Sequence, residues 1–198
     1  MPMNPAVVEN CLRSALSALV GTEESPGPGR HLLKTDANER SLSHHLANCL
    51  SQHFPGWDID CEYNRDGFDN AKALNLPPRT QPTSNDADTR TVFPDIIVHR
   101  RGQSGSANNL LVVEVKKSSN RDEEEYVYDR VKLRQFQTQL GYQHAYLVKL
   151  DTDHSPPAGN RIERISLDYD PIIAAKTDCG QAALNGWDQG DGSHAMPF

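Results

Sequence analysis

Three ionisable residues stand where apolar strands normally carry none. Leu110, Leu111, Val112, Val113 and Val115 form an apolar, largely β-branched run suited to a strand buried on both faces, and Glu114 and Lys116 interrupt it. Side chains alternate along a strand, so Glu114 and Lys116 point to one side while Val113 and Val115 point to the other. Upstream, Pro94 and Asp95 open a second apolar run, Ile96-Ile97-Val98, and proline suits the first residue of a strand. A hairpin turning through the polar residues 100–108 lays the two strands side by side and brings Asp95 and Glu114 to one edge of a sheet. Two carboxylates and a lysine gathered there suit a hard divalent cation and the water it activates.

The elements that must position these groups are legible in outline. Val7, Val8, Cys11, Leu12, Ala15, Leu16 and Leu19 recur at helical spacing and predict a helix over 4–20, started by Asn4-Pro5 and stopped by Gly21. Residues 22–30, with Pro26, Gly27, Pro28 and Gly29, read as a loop. A second amphipathic helix is expected over 36–54, with Leu42, Leu46, Cys49 and Leu50 as its stripe and Asp36 as N-cap. Glu39, three residues on, fits a capping partner. Residues 57–63 alternate apolar and acidic side chains and predict a strand beside that of Asp95, with Asp58, Asp60 and Glu62 on its wet face.

Residues 64–91 carry little periodicity and read as a long loop, either functional or mobile, in which Lys72 and Arg79 could meet phosphates. A long helix follows over 118–140, acidic at its start and ended by Gly141. Residues 145–150 read as a second buried strand, and 161–167 as an edge strand after a Pro-rich turn at 151–159. A helix joining two such strands makes a right-handed β-α-β crossover with the strands parallel.

The order Pro94-Asp95, then Glu114-Val115-Lys116 at the end of an apolar run, resembles the PD-(D/E)xK nuclease superfamily, over roughly residues 38–150. The resemblance implies an α/β, restriction-endonuclease-like core of order α-β-β-β-α-β, with a mixed central sheet flanked by helices and an extra N-terminal helix here. It implies a metal-dependent nuclease that hydrolyses phosphodiester bonds, in DNA first, with Mg²⁺ or Mn²⁺ as cofactor. Asp95, Glu114 and the backbone carbonyl of Val115 are then the metal ligands. Lys116 orients or deprotonates the attacking water, and Glu39 is the helix-borne acid that reaches the site, a role compatible with capping. Lys132 and Gln135 are the basic and amide candidates for contact with the substrate phosphate.

Composition bounds this reading. A chain of 198 residues with 36% hydrophobic residues is expected to form one domain over 1–170, its core at 36–167, with a poorly ordered tail over 171–198. The net charge of −7 is unusual for a nucleic-acid binder, which is normally basic. It keeps open an inactive nuclease-fold module that works by binding protein or nucleic acid. Cys11, Cys49, Cys61 and Cys179 show no paired spacing and read as free thiols. With no signal peptide and no long apolar stretch, a cytoplasmic protein without membrane contact is expected. The 5–20 helix is the candidate interface of a homodimer.

Overall fold

The computed structural model describes residues 3–82, 84–152 and 160–167. A mixed five-stranded sheet, of order β1-β6-β7-β8-β9, forms the middle layer. It is built from β1 (Asp58–Asp60), β6 (Ile96–His99), β7 (Asn109–Lys117), β8 (His144–Leu150) and β9 (Arg161–Arg164). β6 and β7 form the expected antiparallel hairpin, with Ile96 opposite Val113. β7 and β8 are parallel, joined by α4 (Glu123–Leu140) as a β-α-β unit. β1 and β9 close the two edges antiparallel to their neighbours.

Helices cover both faces. On one face α1 (Pro5–Val20) and α3 (Glu39–Ser51) pack Val8, Leu12, Leu16, Leu19, Leu42, Leu46 and Leu50 against Ile96, Val98, Val113, Val115 and Val148. The apolar stripe of α1 is therefore consumed inside the domain, and the expectation of a dimer interface there finds no support. On the other face α4 packs Tyr126, Leu133 and Phe136 over Ile97, Val112, Ala145 and Leu147. Among the described residues no helix is long and apolar enough to cross a membrane.

Local chemistry explains the element ends. The Asn4 side chain accepts the Ala6 N–H and starts α1, and the Asp122 side chain accepts the Glu125 N–H to start α4. Gly141 ends α4 in the left-handed region at φ 73°, which glycine enters without steric cost. The second long helix corrects the sequence reading, since its N-cap is Asn38, whose side chain accepts the Ser41 N–H. Asp36 stands outside at φ 49°. β1 stops early because Glu62 turns away at φ 51° while its N–H donates to the Pro94 carbonyl. The acids of 57–63 are ion-paired rather than merely solvated: Asp60 faces His99 and Arg101, and Glu62 faces Arg40.

One helix and two strand pairs were not foreseen. A short helix, α2 (Arg30–Lys34), follows the Pro/Gly loop. Residues 64–91 are not structureless either, for they carry two antiparallel ribbons, β2 (Arg65–Asp66) with β3 (Asn70–Ala71), and β4 (Ala73–Leu76) with β5 (Asp88–Thr91). Leu74 and Leu76 pin the second ribbon to the α4 face of the core. The expected tail over 171–198 lies outside the described residues, as does most of the 151–159 turn.

Candidate active site

β7 continues to Lys117 beyond Val113, the last of its residues paired with β6 (opposite Ile96), and the site forms along this overhang. A lone strand edge exposes amides that need acceptors. Here two carboxylates supply them. Asp95 Oδ2 accepts the Val115 N–H at 2.7 Å, and Glu39 Oε1 accepts the Lys117 N–H at 3.1 Å. Glu39 is therefore not Asp36's capping partner, and its other oxygen, Oε2, lies 3.8 Å from Lys116 Nζ. Asp36 stays nearby, accepting Ser119 Oγ–H and pairing with Lys117 Nζ.

Glu114 and Lys116 share the face covered by α4, as strand alternation requires. Lys116 Nζ meets Glu125 Oε1 at 2.7 Å and Asp129 Oδ2 at 3.0 Å. Lys132 Nζ donates to Glu114 Oε2 at 2.6 Å and lies 3.8 Å from Asp129 Oδ1. Among the described residues, five carboxylates, from Glu39, Asp95, Glu114, Glu125 and Asp129, thus face two ammonium groups, from Lys116 and Lys132. Glu114 is 2% exposed, and its Oε1 finds no hydrogen-bond donor among the described residues.

The charges respond to that crowding. Burial raises the Asp95 carboxyl to about 6, against the partial relief of the Val115 N–H and Lys132. Burial likewise holds Glu114 well above the usual carboxylate range, and the Asp95 charge adds to it, while Lys132 opposes the shift. For Lys116 burial works to depress the pKa. Asp129, Glu125 and Glu39 outweigh it and carry the ammonium above its ordinary value. Glu125 is lowered chiefly by its hydrogen bond from Lys116.

Of the residues singled out in the sequence, Asp95, Glu114, Lys116 and Glu39 come together at this end of β7. Lys132 joins them as the partner of Glu114, in the interior. Gln135 does not join. Its Oε1 accepts Thr138 Oγ1–H and Gln139 Nε2–H on the side of α4 facing the β4 ribbon. At 100° per residue it lies about 120° round α4 from Asp129, away from the cluster. Lys72 is also unavailable to phosphates. It is 1% exposed, bonds Tyr142 Oη, and burial pushes it down to about 8. Arg79 remains exposed, its guanidinium 5.1 Å from the Tyr128 ring centroid.

Glu125 and Asp129 were missed. Their signal was present, because Glu125, Asp129 and Lys132 fall at i, i+4 and i+7 and form one charged stripe along the buried side of α4. Such a stripe reads as a solvated face until the partner strand beneath it is known to carry Glu114 and Lys116.

Among the described residues no three His, Cys, Asp or Glu side chains form a ready-made metal cage. No family model and no curated protein matches the chain. A solved structure described as the crystal structure of SSO0001 aligns over 90% of this chain and 84% of its own, at 13% identity and a TM-score of 0.34, a likeness too loose to bear on fold or function.

Proposed function

We propose that the protein is a Mg²⁺- or Mn²⁺-dependent nuclease, hydrolysing phosphodiester bonds most naturally in DNA, on a restriction-endonuclease-like core. The observation that carries the reading is the excess of carboxylates over ammonium groups among the described residues at the end of β7, with the Glu114 Oε1 buried and without a hydrogen-bond partner among them. A buried, anionic cluster with a spare oxygen is a poor way to stabilise a fold and a good way to receive a divalent cation. Mg²⁺ in particular binds through one or two carboxylates, waters and substrate phosphate rather than a full protein cage. The order of elements around β1, β6, β7, α4 and β8 supports the assignment, with α3 preceding them.

In this reading Asp95, Glu114 and the Val115 carbonyl hold the metal, which supplies charge neutralisation and a water of lowered pKa. Lys132 holds Glu114 by Oε2 and thereby aims Oε1 outward from the pair. Lys116 keeps its proton at neutral pH, so it orients the water and stabilises charge developing on the phosphate rather than acting as base. Glu39 and Asp129 set the position of the Lys116 ammonium.

The test is cleavage of plasmid and labelled single-stranded DNA with Mg²⁺ or Mn²⁺, beside calorimetric titration of the metal. Cutting should require the metal and fall by at least about 100-fold in Asp95→Asn. Absence of both cutting and metal uptake overturns the reading in favour of an inactive binding module. Because the metal needs the ionised carboxylate, Mg²⁺ affinity should also weaken as pH drops through about 6, where Asp95 takes up a proton. Equal affinities at about pH 5 and pH 7 would remove Asp95 from the ligand set.

A further inference from the structure

Lys116 does not stand alone across the sheet. Its register partner on β8 is Lys149, and the register partner of Lys149 on β9 is Arg161. Directly paired residues on neighbouring strands share a face, so three cations form one row across β7, β8 and β9, roughly 10 Å from end to end. Like charges directly opposite one another destabilise a sheet. Only the first of the three is neutralised. Lys116 has its carboxylates, whereas Lys149 and Arg161 have none within ion-pair distance among the described residues. Lys149 Nζ instead lies 4.6 Å from the Tyr126 ring centroid.

The two uncompensated cations border a cavity of about 290 Å³ between α4 and the β8–β9 pair. Leu147 and Ile162 provide apolar wall, Arg130 is locked there by a two-point contact with Glu163 at 2.8 and 3.1 Å, and the Glu123 side chain is the other acid at the cavity, against the two cations Lys149 and Arg161. Tyr126, at the first turns of α4, separates this cavity from the carboxylate cluster by bonding Lys117 and Asn120 carbonyls. An apolar wall beside unpaired cations, at the low end of ligand-sized volumes, suits a group about the size of one nucleotide.

We propose that this cavity is a phosphate subsite for the polynucleotide strand, with Lys149 and Arg161 as its ligands, taking a phosphodiester next to the one that reaches Lys116. The subsite rests on the nuclease reading above and deepens it. An acidic protein can then hold a polyanion, because the basic charge it needs is concentrated in one line.

The test is fluorescence anisotropy of a labelled oligonucleotide, single-stranded and duplex, with EDTA present so that nothing is cut. For the single strand, Arg161→Gln should weaken binding and flatten the slope of log K against log salt by about 0.7, and the Lys149→Gln/Arg161→Gln double variant by about 1.4. The double variant should bind roughly 10–100-fold more weakly at low salt. Arg161 is exposed at the sheet edge, so its single variant remains informative if the double variant misfolds. Unchanged affinity and slope in a variant of native thermal stability overturn the subsite, whether or not the wild type cleaves. A wild type that binds through Lys149 and Arg161 without ever cleaving sustains the subsite and sinks the nuclease. Binding of neither strand form by the wild type overturns both.

Discussion

Exchanging Lys116 for glutamine is expected to slow metal-dependent strand cleavage by about 10²–10³-fold, the usual cost of removing one preorganised donor from developing charge. The ammonium is held by Glu125 at 2.7 Å and Asp129 at 3.0 Å, so in the wild type it costs no reorganisation at the moment of reaction. Glutamine keeps a hydrogen-bond donor of similar reach but loses the charge. Mg²⁺ affinity, measured by calorimetry, should not fall, because the substitution removes a positive charge from beside the carboxylates. Single-turnover rates separate the two effects. A lost rate with equally lost metal uptake would mean that the cluster had collapsed, and an unchanged rate would remove Lys116 from the chemistry. Since its neighbours hold the proton on Lys116, no lysine ionisation should appear in the rate profile near neutrality.

The second large effect is on stability. Lys132→Met should cost about 3–5 kcal/mol, since it strands Glu114 as a buried carboxylate with no counter-charge at Oε2. In a domain of this size that amounts to a fall in Tm of about 10 °C or more by thermal denaturation. Replacing both partners should largely undo it: Lys132→Met with Glu114→Leu puts apolar groups in the place of an ion pair, a change that is often neutral or favourable. If the double variant is as unstable as the single, the Lys132–Glu114 contact is not what stabilises this part of α4. The same comparison exposes the functional character of the pair, because the double variant should regain stability with no recovery of metal binding.

What the sequence revealed depended on how strongly each feature repeats. The β6–β7 hairpin, the parallel β8 and the stops at Gly21 and Gly141 follow from long apolar runs and glycine positions, which local chemistry decides. The α3 start did not, since Asp36 and Asn38 are both good caps and only the backbone conformation chooses between them. The ribbons within 64–91 were invisible because strands of two to four residues leave no period to detect. The fates of Lys72 and Lys132 were hidden for another reason. Whether a lysine faces water or the interior is decided by what packs over it, here Tyr142 and Tyr63 for the first and Glu114 for the second. Asp95, Glu114 and Lys116 were legible because a charge inside an apolar strand is costly enough to need a reason.

The overhang of β7 carries a lesson for redesign. Asp95 and Glu39 stand in for the neighbouring strand that ends too soon, each accepting one backbone amide, from Val115 and Lys117. Their scaffolding duty needs only an oxygen, whereas the duty proposed for them needs a negative charge. Truncation to alanine would abolish both at once and leave two amides searching for acceptors. Asparagine and glutamine keep the oxygen and discard the charge, so isosteric amides are the substitutions that can retire the chemistry while the architecture stands.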